Sequence, residues 1–572
     1  MKKYIISLIL LSQITVAQTS HFRQFFMQGN NINTIFSNNG ISNYDKITFA
    51  GSEAGFIWPA SSTTRKTAIF ASGIWLAAKV GPQGDLRTAT SSFDSHFSPG
   101  NIPVIGGVPP SSVCSDSVWR GFLVNLSDQT LVSGGTRAKF AGGRLYYLVY
   151  SSWASWPVDK GAPYVEVNGI PGYQPSWDGD RPGIGNGMTA RPEELSFVSF
   201  MDYTNCTNNI HQYGVSLPGG TLPMGAEIHE INFMFNCAPI ENMYFSKWVI
   251  INRNSLNWDS VYFSLHEDID IGNAFDDSYG CDTIRNMTFL YNADNSDEDY
   301  GAGPPSCGTR FLQSPLVYTG NGLDSALLPY DTLTGYKMLG MTSSINIRHN
   351  HPDPCHSDPD YYIGGYYFMK GKDGCGRNYI NPLTGQPTTY MMPGDACNRT
   401  GWYDSSTFGG DRHYLQSSGP FKISSGDTQI VVASFMITRD GGNNHLNVCA
   451  LQSISDSALY HYYNDFRLCV PIGIQPISTE IPQTFELFQN YPNPFNPATK
   501  IKFNIPLSSG HNRSLMKIYD ALGREIETLV NEQLNPGTYE IEWGAAKYPS
   551  GVYFYSLTTG TFTQTKKMVV IK

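Results

Sequence analysis

Residues 67–80 read TAIFASGIWLAAKV, and residues 429–437 read QIVVASFMI. Both stretches are rich in β-branched and aromatic side chains and sit between clusters of Gly, Pro, Asn and Ser. Short runs of this make-up fit strands of a buried sheet better than helices. Residues 144–150 and 248–251 repeat the pattern, so the chain reads as a mainly β body with turn-rich connections. One segment departs from it. Between Asn443 and Phe466, the apolar side chains Leu451, Ile454, Ala458, Tyr462 and Phe466 follow helical spacing, with Asn443 or Asn444 as N-cap. The expected body is a β-sandwich over residues 18–470, closed by one C-terminal helix, with an internal module boundary near residue 195. Residues 470–484 (VPIGIQPISTEIPQT) carry three prolines and no dense apolar period, which marks 471–484 as an extended linker.

The chain has 572 residues, 38 basic and 48 acidic, for a net charge of -10. An acidic chain without a basic patch is a poor match for nucleic acid. Only 15% of residues are charged, against about 25% in an ordinary soluble domain, so much of the surface is neutral and polar. At the amino terminus, Lys2 and Lys3 precede an apolar run over residues 4–11, and Thr15, Val16 and Ala17 offer a small-residue cleavage site. Residues 1–17 therefore read as a signal peptide handled by the Sec machinery, too short to span a bilayer. Ten cysteines, none of them in a CxxC pair, fall between Cys114 and Cys469. In an exported chain they suit disulfides, and the expected pairs are Cys281 with Cys307 and Cys206 with Cys237.

Residues 485–572 contain no cysteine and show period-two runs at 500–505, 515–520, 538–543, 552–558 and 567–571. About seven short strands in so few residues suggest a small immunoglobulin-like sandwich. Pro492, Pro494 and Pro497 fix φ and remove donors, Gly523 lies between two apolar runs, and Gly537 follows Pro536 in a turn-forming pair.

The runs FELFQNYPNPFNPATKIKFNIP (485–506), KIYDALGREIETLV (517–530), PGTYEIEW (536–543), SGVYFYSL (550–557) and KKMVVIK (566–572) together resemble the type A C-terminal sorting domain of the type IX secretion system. The matching positions are Pro492, Asn493, Pro494, Gly523, Gly537, Tyr539, Gly551, Tyr553, Lys566 and Lys567. The resemblance implies a folded address label, read by an outer-membrane translocon after periplasmic transit. It also implies removal by a sortase-type protease that attaches such proteins to surface lipopolysaccharide. The body, in FASGIWLAAKV (70–80), WPVDKGAPYVEVNGIPGY (156–173), DIDIGNAFDDSYGCDT (268–283), YNADNSDEDYGAGPP (291–305) and SSGPFKISSGDTQIVVA (417–433), resembles a group of secreted Bacteroidota- and Ignavibacteria-type surface proteins. That likeness implies architecture and location, not an activity.

The most chemically suggestive stretch holds Asp268, Asp270, Asp276, Asp277 and Asp282 around Gly272. Several hard oxygens in a short loop after a strand suit Ca2+, which takes six to eight oxygen ligands in irregular geometry. The bland alternative is a solvated loop of Asx turns. A second, weaker calcium loop would use Glu166, Asn168, Asp178 and Asp180, and resembles a degenerate form of the loop in relatives. The run Asp294, Asp297, Glu298, Asp299 reads as a solvated surface run. His349, His351, Cys355 and His356, with Asp353 or Asp358, are the only dense set of softer metal ligands. Cys355 is more readily spent in a disulfide with Cys375 or Cys397, and the neighbouring prolines stiffen the segment.

No GxSxG, HExxH or phosphate-cradling glycine loop is present. Adjacent carboxylates at Glu193 and Glu194, Glu227 and Glu230, and Glu267 and Asp268 leave a polysaccharide hydrolase as the alternative. Trp58, Trp75, Trp153, Trp156 and Trp177 either fill the core or stack on sugars. The leading expectation is a non-enzymatic, disulfide-stapled, calcium-supported surface protein acting in adhesion, glycan contact or surface structure.

Overall fold

The computed structural model describes residues 22–47, 53–107, 119–167, 169–203, 220–329, 331–348, 351–359, 361–405, 410–466, 474–478, 482, 484–506, 513–533, 537–545, 548–560 and 562–571. Residues 1–17, read above as a signal peptide, lie outside these. The chain divides into two compact units, Met1–Asp465 and Phe466–Lys572.

In the first unit, two antiparallel sheets of eight and nine strands enclose one large apolar core. The 67–80 stretch shows why. In the strand Ala71–Val80, Ile74, Leu76, Ala78 and Val80 enter that core, while Trp75 and Ala77 point the other way. Trp75 and Ala77 are covered by Tyr366, Phe368 and Met369 of the short helix Tyr362–Met369. Alternate side chains leave opposite faces of a strand, so a strand covered on both sides is apolar at nearly every position. Gly73 is dictated by space, because a Cβ there would lie 2.1 Å from the Ser91 carbonyl oxygen. The neighbouring strand Trp258–Asp268 keeps the same phase, with Val261, Phe263 and Leu265 inward and Tyr262 outward. His266 and Asp268 therefore share the outer face with Tyr262. The 429–437 stretch lies within Thr428–Thr438, in the nine-stranded sheet between Met243–Asn252 and Ser306–Gln313.

The C-terminal helix of the body is Asn444–Tyr463, and the Asn443 side chain accepts from the Leu446 N–H as the cap. It buries Leu451, Ala458 and Tyr462 as the spacing implies, but Ser455 takes the buried position expected of Ile454. Ser455 lies in phase with Leu451, Ala458 and Tyr462, and the Arg310 guanidinium donates to its Oγ at 2.9 Å. A second helix, Tyr362–Met369, was not expected, since paired Gly364 and Gly365 mask it in sequence.

The cysteines correct one expectation. Cys281 and Cys307 are buried free thiols, because their strands Asp277–Asp282 and Ser306–Gln313 are separated by Met287–Asn292. Two strand spacings are about 9.6 Å, beyond disulfide reach. Cys355 pairs with Cys375, and Cys397 pairs with Cys449 in the helix. Cys237 is disulfide-bonded; Cys206 lies outside the described residues.

The second unit is a small sandwich of two four-stranded antiparallel sheets. Ala498–Ile505 and Gly537–Gly544 form the middle of one, and Arg513–Tyr519 and Gly551–Thr559 the middle of the other. Phe503, Ile541, Trp543, Tyr555, Leu557 and Met568 fill the space between them. Ile474–Ser478, within the stretch read as linker, pairs with Gly537–Gly544.

Candidate functional site

Asp268 closes its strand directly opposite His413, the second residue of the strand Arg412–Ile423. Period two then brings Asp270 and Asp411 to the same outer face. Carboxylate oxygens of Asp268 and Asp411 and a ring nitrogen of His413 all lie within 4.8 Å of one another. His413 Nδ1 is 3.7 Å from Asp268 Oδ1, and Nε2 is 2.9 Å from Asp358 Oδ1. His413 Nδ1, Asp268 Oδ1 and Asp270 Oδ1 are buried without a hydrogen-bond partner.

The electrostatics follow from that crowding. Burial, then the charges of Asp268 and Asp411, push the Asp270 carboxyl up to about 8. Burial disfavours the charged form of His413, but Asp268 and Asp358 outweigh it and hold the imidazole well above its ordinary value. His266, its ring centre 5.3 Å from that of His413 and stacked on Trp75, is driven down to about 4 by burial and by His413.

A second half of the cluster lies inside the turn that follows. Asp277 is fully buried; its Oδ2 accepts from the Ile271 N–H at 3.0 Å, and its Oδ1 has no partner. Asp276 Oδ1 is likewise buried and unpartnered. Burial, then Asp270, Asp276 and Asp297, hold Asp277 far above the carboxylate range. Asp297 comes from the acidic run read as solvated. Asp294, Glu298 and Asp299 are exposed there, but Asp297 turns inward and accepts from the N–H groups of Asn273, Asp299 and Tyr300. Gly272, at φ +69°, makes room for it, since a Cβ would stand 2.3 Å from Asp297 Oδ1. Asp282, at the far end of the Asp277–Asp282 strand, accepts from Ile284 and Arg285 N–H groups and pairs with the Arg285 guanidinium at 2.8 Å. That strand spans about 17 Å, too far for one ion to reach both ends.

In the loop of Glu166, Asn168, Asp178 and Asp180, Asp180 is buried and accepts from the Val167 and Gln174 N–H groups. Glu166 and Asp178 are exposed, and Asn168 lies outside the described residues. Glu166 edges an open groove of about 510 Å³ with Tyr164, Gly185 and Met188. In the histidine-rich segment His349 is outside the described residues, His351 and His356 stack at 5.1 Å, and Asp358 serves His413 instead.

The carboxylates of the Glu193–Glu194 and Glu227–Glu230 pairs are held by framework hydrogen bonds, and Glu267 points away from Asp268 into the interior. Glu194 accepts from Gln28 N–H, Tyr150 Oη and Lys139 Nζ, and Glu193 from Ser127 Oγ. Glu227 is held below its usual value: burial opposes this, and hydrogen bonds from His229 and Arg253 outweigh it. Glu230, raised to about 7 by burial, and Glu267, raised far higher by the same cause, line one interior cavity of about 10 Å³. That volume holds about one water.

Trp58, Trp75, Trp153 and Trp156 are core residues, whereas Trp177 is half-buried under Arg191, 4.4 Å away. Sequence reading did not mark the ribbon Gly135–Ala141 with Arg144–Tyr150 as a surface of interest. Its inner face buries Ala141, Tyr146, Leu148 and Tyr150. Its outer face exposes Thr136, Ala138, Phe140, Leu145, Tyr147 and Val149, with no charge among them.

In the second unit, the proline-rich entry is stitched to two strands at once. Tyr491 exchanges backbone hydrogen bonds with Lys500, Asn493 Oδ1 accepts from the Val569 N–H, and Phe495 bonds Val569 and Ile571. Tyr539 stacks on Phe503 and Tyr553 packs edge-on to Trp543. Gly523, at φ +77°, closes the turn capped by Asp520; Gly537 and Gly551 open strands, and Lys566 and Lys567 lie on the last one.

A family model described as a secretion system C-terminal sorting domain matches residues 489–572. The second unit is a type IX sorting domain. It engages the type IX secretion machinery and directs the protein to the cell surface or outer membrane. No curated protein matches the chain. Among solved structures, one titled a polysaccharide lyase aligns over 87% of this chain at 7% identity and a TM-score of 0.16. The chain spans 47% of that structure's length, and the likeness carries no argument about fold or function.

Proposed function

We propose that the type IX cargo is a non-enzymatic surface protein whose body contacts neutral glycan through the outer face of the Gly135–Ala141 and Arg144–Tyr150 ribbon. The observation that carries this reading is the six-residue exposed face of Thr136, Ala138, Phe140, Leu145, Tyr147 and Val149. Exposed aromatic and aliphatic side chains in a contiguous set mark contact surfaces, and aromatic rings suit the C–H faces of sugars. The lack of charge on that face fits a neutral polysaccharide better than an anionic one. Against hydrolysis stands the place of Glu230 and Glu267. These are raised carboxyls of the kind a glycosidase uses, yet they share a void of about 10 Å³ inside the sandwich, too small to admit a sugar ring.

Calcium belongs to the same reading as a structural ion. The all-oxygen half of the cluster, Asp276, Asp277 and Asp297, offers ligands of the right hardness, with unpartnered oxygens on Asp276 and Asp277. The test of the glycan reading is co-sedimentation of residues 18–572 with insoluble polysaccharides, as the parent sequence and as Phe140→Ser with Tyr147→Ser. Binding lost in the double variant supports it. Binding that survives the double variant, or release of reducing ends, contradicts it.

A further inference from the structure

The outer-face half of the cluster differs in chemistry from the turn beside it. It combines one imidazole with the carboxylates of Asp268, Asp270 and Asp411. From this geometry we infer a binding site for a first-row divalent transition metal, of the zinc or manganese type, formed by His413, Asp268 and Asp411 with Asp270 alongside.

Three observations converge on it. First, the register fixes two of the ligands, since Asp268 faces His413 across two neighbouring strands, and Asp270 and Asp411 stand two residues further along, just beyond the strand ends. Ligands on strand ends of a covered sheet are held by the ladder itself, which a loop site lacks. Second, the polar atoms that turn toward one another are the ones left without partners. His413 Nδ1 and Asp268 Oδ1 face each other at 3.7 Å, buried and beyond hydrogen-bond reach, and Asp270 Oδ1 is likewise buried without a hydrogen bond; His413 is only 2% exposed. Buried polar atoms in native structures nearly always have a partner, and an ion between His413 Nδ1 and Asp268 Oδ1 would supply one to both. Third, the imidazole is already oriented. Its Nε2 lies 2.9 Å from Asp358 Oδ1, an arrangement in which Nε2–H donates to the carboxylate and a metal ion would displace the proton that the metal-free imidazole carries on Nδ1, on the side of Asp268. A metal-bound histidine is held in just this way by an outer carboxylate that fixes its tautomer.

The donor set decides the metal class. Imidazole nitrogen suits zinc, iron, copper and nickel, while carboxylates also accept manganese; calcium and magnesium take oxygen and make little use of nitrogen. The pocket therefore favours Zn2+ or Mn2+ over Ca2+, in contrast to the Asp276, Asp277 and Asp297 half. Asp411 is half-buried and gives the ion its route in.

The experiment uses metal-stripped residues 18–572 and titrates Zn2+, Mn2+ and Ca2+ separately by calorimetry, with elemental analysis of the dialysed products. The expected result is one tightly held equivalent of Zn2+ or Mn2+. Asp411→Asn, isosteric and at the rim, lowers that affinity at least tenfold while leaving Ca2+ uptake unchanged. Should Asp411→Asn fail to fold, Asp358→Asn decides by the same criterion, with a ten- to hundredfold loss expected for an outer-shell partner. No transition-metal uptake by the parent chain, or uptake undiminished in the variant, overturns the site.

Discussion

Asp268 and His413 stand directly opposite each other on adjacent antiparallel strands, with Oδ1 and Nδ1 3.7 Å apart and neither atom hydrogen-bonded. Around that pair the chain gathers more negative charge than burial tolerates, and it does so on a rigid sheet. The consequences are measurable in stability, in pH response and in metal dependence.

The first concerns protons. Folding raises Glu230 to about 7 and Asp270 to about 8, both chiefly through burial, and holds His413 above its ordinary value. A group raised on folding contributes stability that is fully present below its unfolded pKa and is lost as pH climbs through the folded one. His266 and His461, both driven down to about 4 by burial, act oppositely and cost stability as pH falls from about 6.5 toward 4. The metal-free chain is therefore expected to lose stability steadily as pH climbs from about 6.5 to 9, where the histidines no longer compensate the raised carboxyls. Thermal melts from pH 4 to 9 in chelator check this, and a stability maximum above pH 8 would contradict it.

Calcium is expected to reverse part of that loss by taking the place of protons on Asp276 and Asp277. Replacing both with Asn should lower the melting temperature by several degrees when Ca2+ is present and leave it unchanged, or raise it, in chelator. If chelator has no effect on the parent chain, the calcium reading fails.

Cysteine chemistry separates two classes. Cys281 and Cys307 are buried, with thiols driven upward chiefly by burial, so a thiol reagent should label neither until the chain is denatured. Cys397–Cys449 spans 52 residues and ties a long loop to the Asn444–Tyr463 helix. Changing both residues to Ser should cost about 2–4 kcal/mol, read by denaturant unfolding.

Asp465 holds the lip of the 510 Å³ groove. Its carboxylate accepts from Thr189 N–H, Thr189 Oγ1 and Ala190 N–H at 2.7–3.3 Å. Asp465→Ala leaves those donors unpaired and is expected to cost about 1–3 kcal/mol, with faster amide exchange at Thr189 and Ala190. Unchanged exchange there would refute the bracing role.

Much of this architecture was legible in the chain, for physical reasons that also mark where reading stopped. Near-continuous apolar runs such as residues 71–80 announce strands because both faces are covered, and the Asn443 cap announces the helix. The acidic turn was visible as a set of oxygens, yet its grouping was not. Asp282 shares the segment but sits a strand-length away, whereas Asp297, Asp411 and His413 arrive through sheet register, a relation no local window contains. One signal was available: Asp411 and His413 repeat the i, i+2 spacing of Asp268 and Asp270. The Cys281–Cys307 pairing failed on the same point, since an intervening strand between them has no trace in their spacing. The sorting domain was readable from separated motifs because its proline entry and paired aromatic positions each perform a local structural task.

The sorting assignment has its own consequence. Removing residues 485–572 should leave the body in the periplasm, detected by fractionation; normal surface display of the truncated chain would contradict it.

The most direct measurement of the central claim is incubation of residues 18–572 with a panel of neutral and anionic polysaccharides, scoring retention and reducing ends in the same tubes. The account predicts retention on a neutral polysaccharide, abolished by Phe140→Ser with Tyr147→Ser, and no new reducing ends. Steady release of reducing ends by the parent chain would contradict it and make the protein a hydrolase.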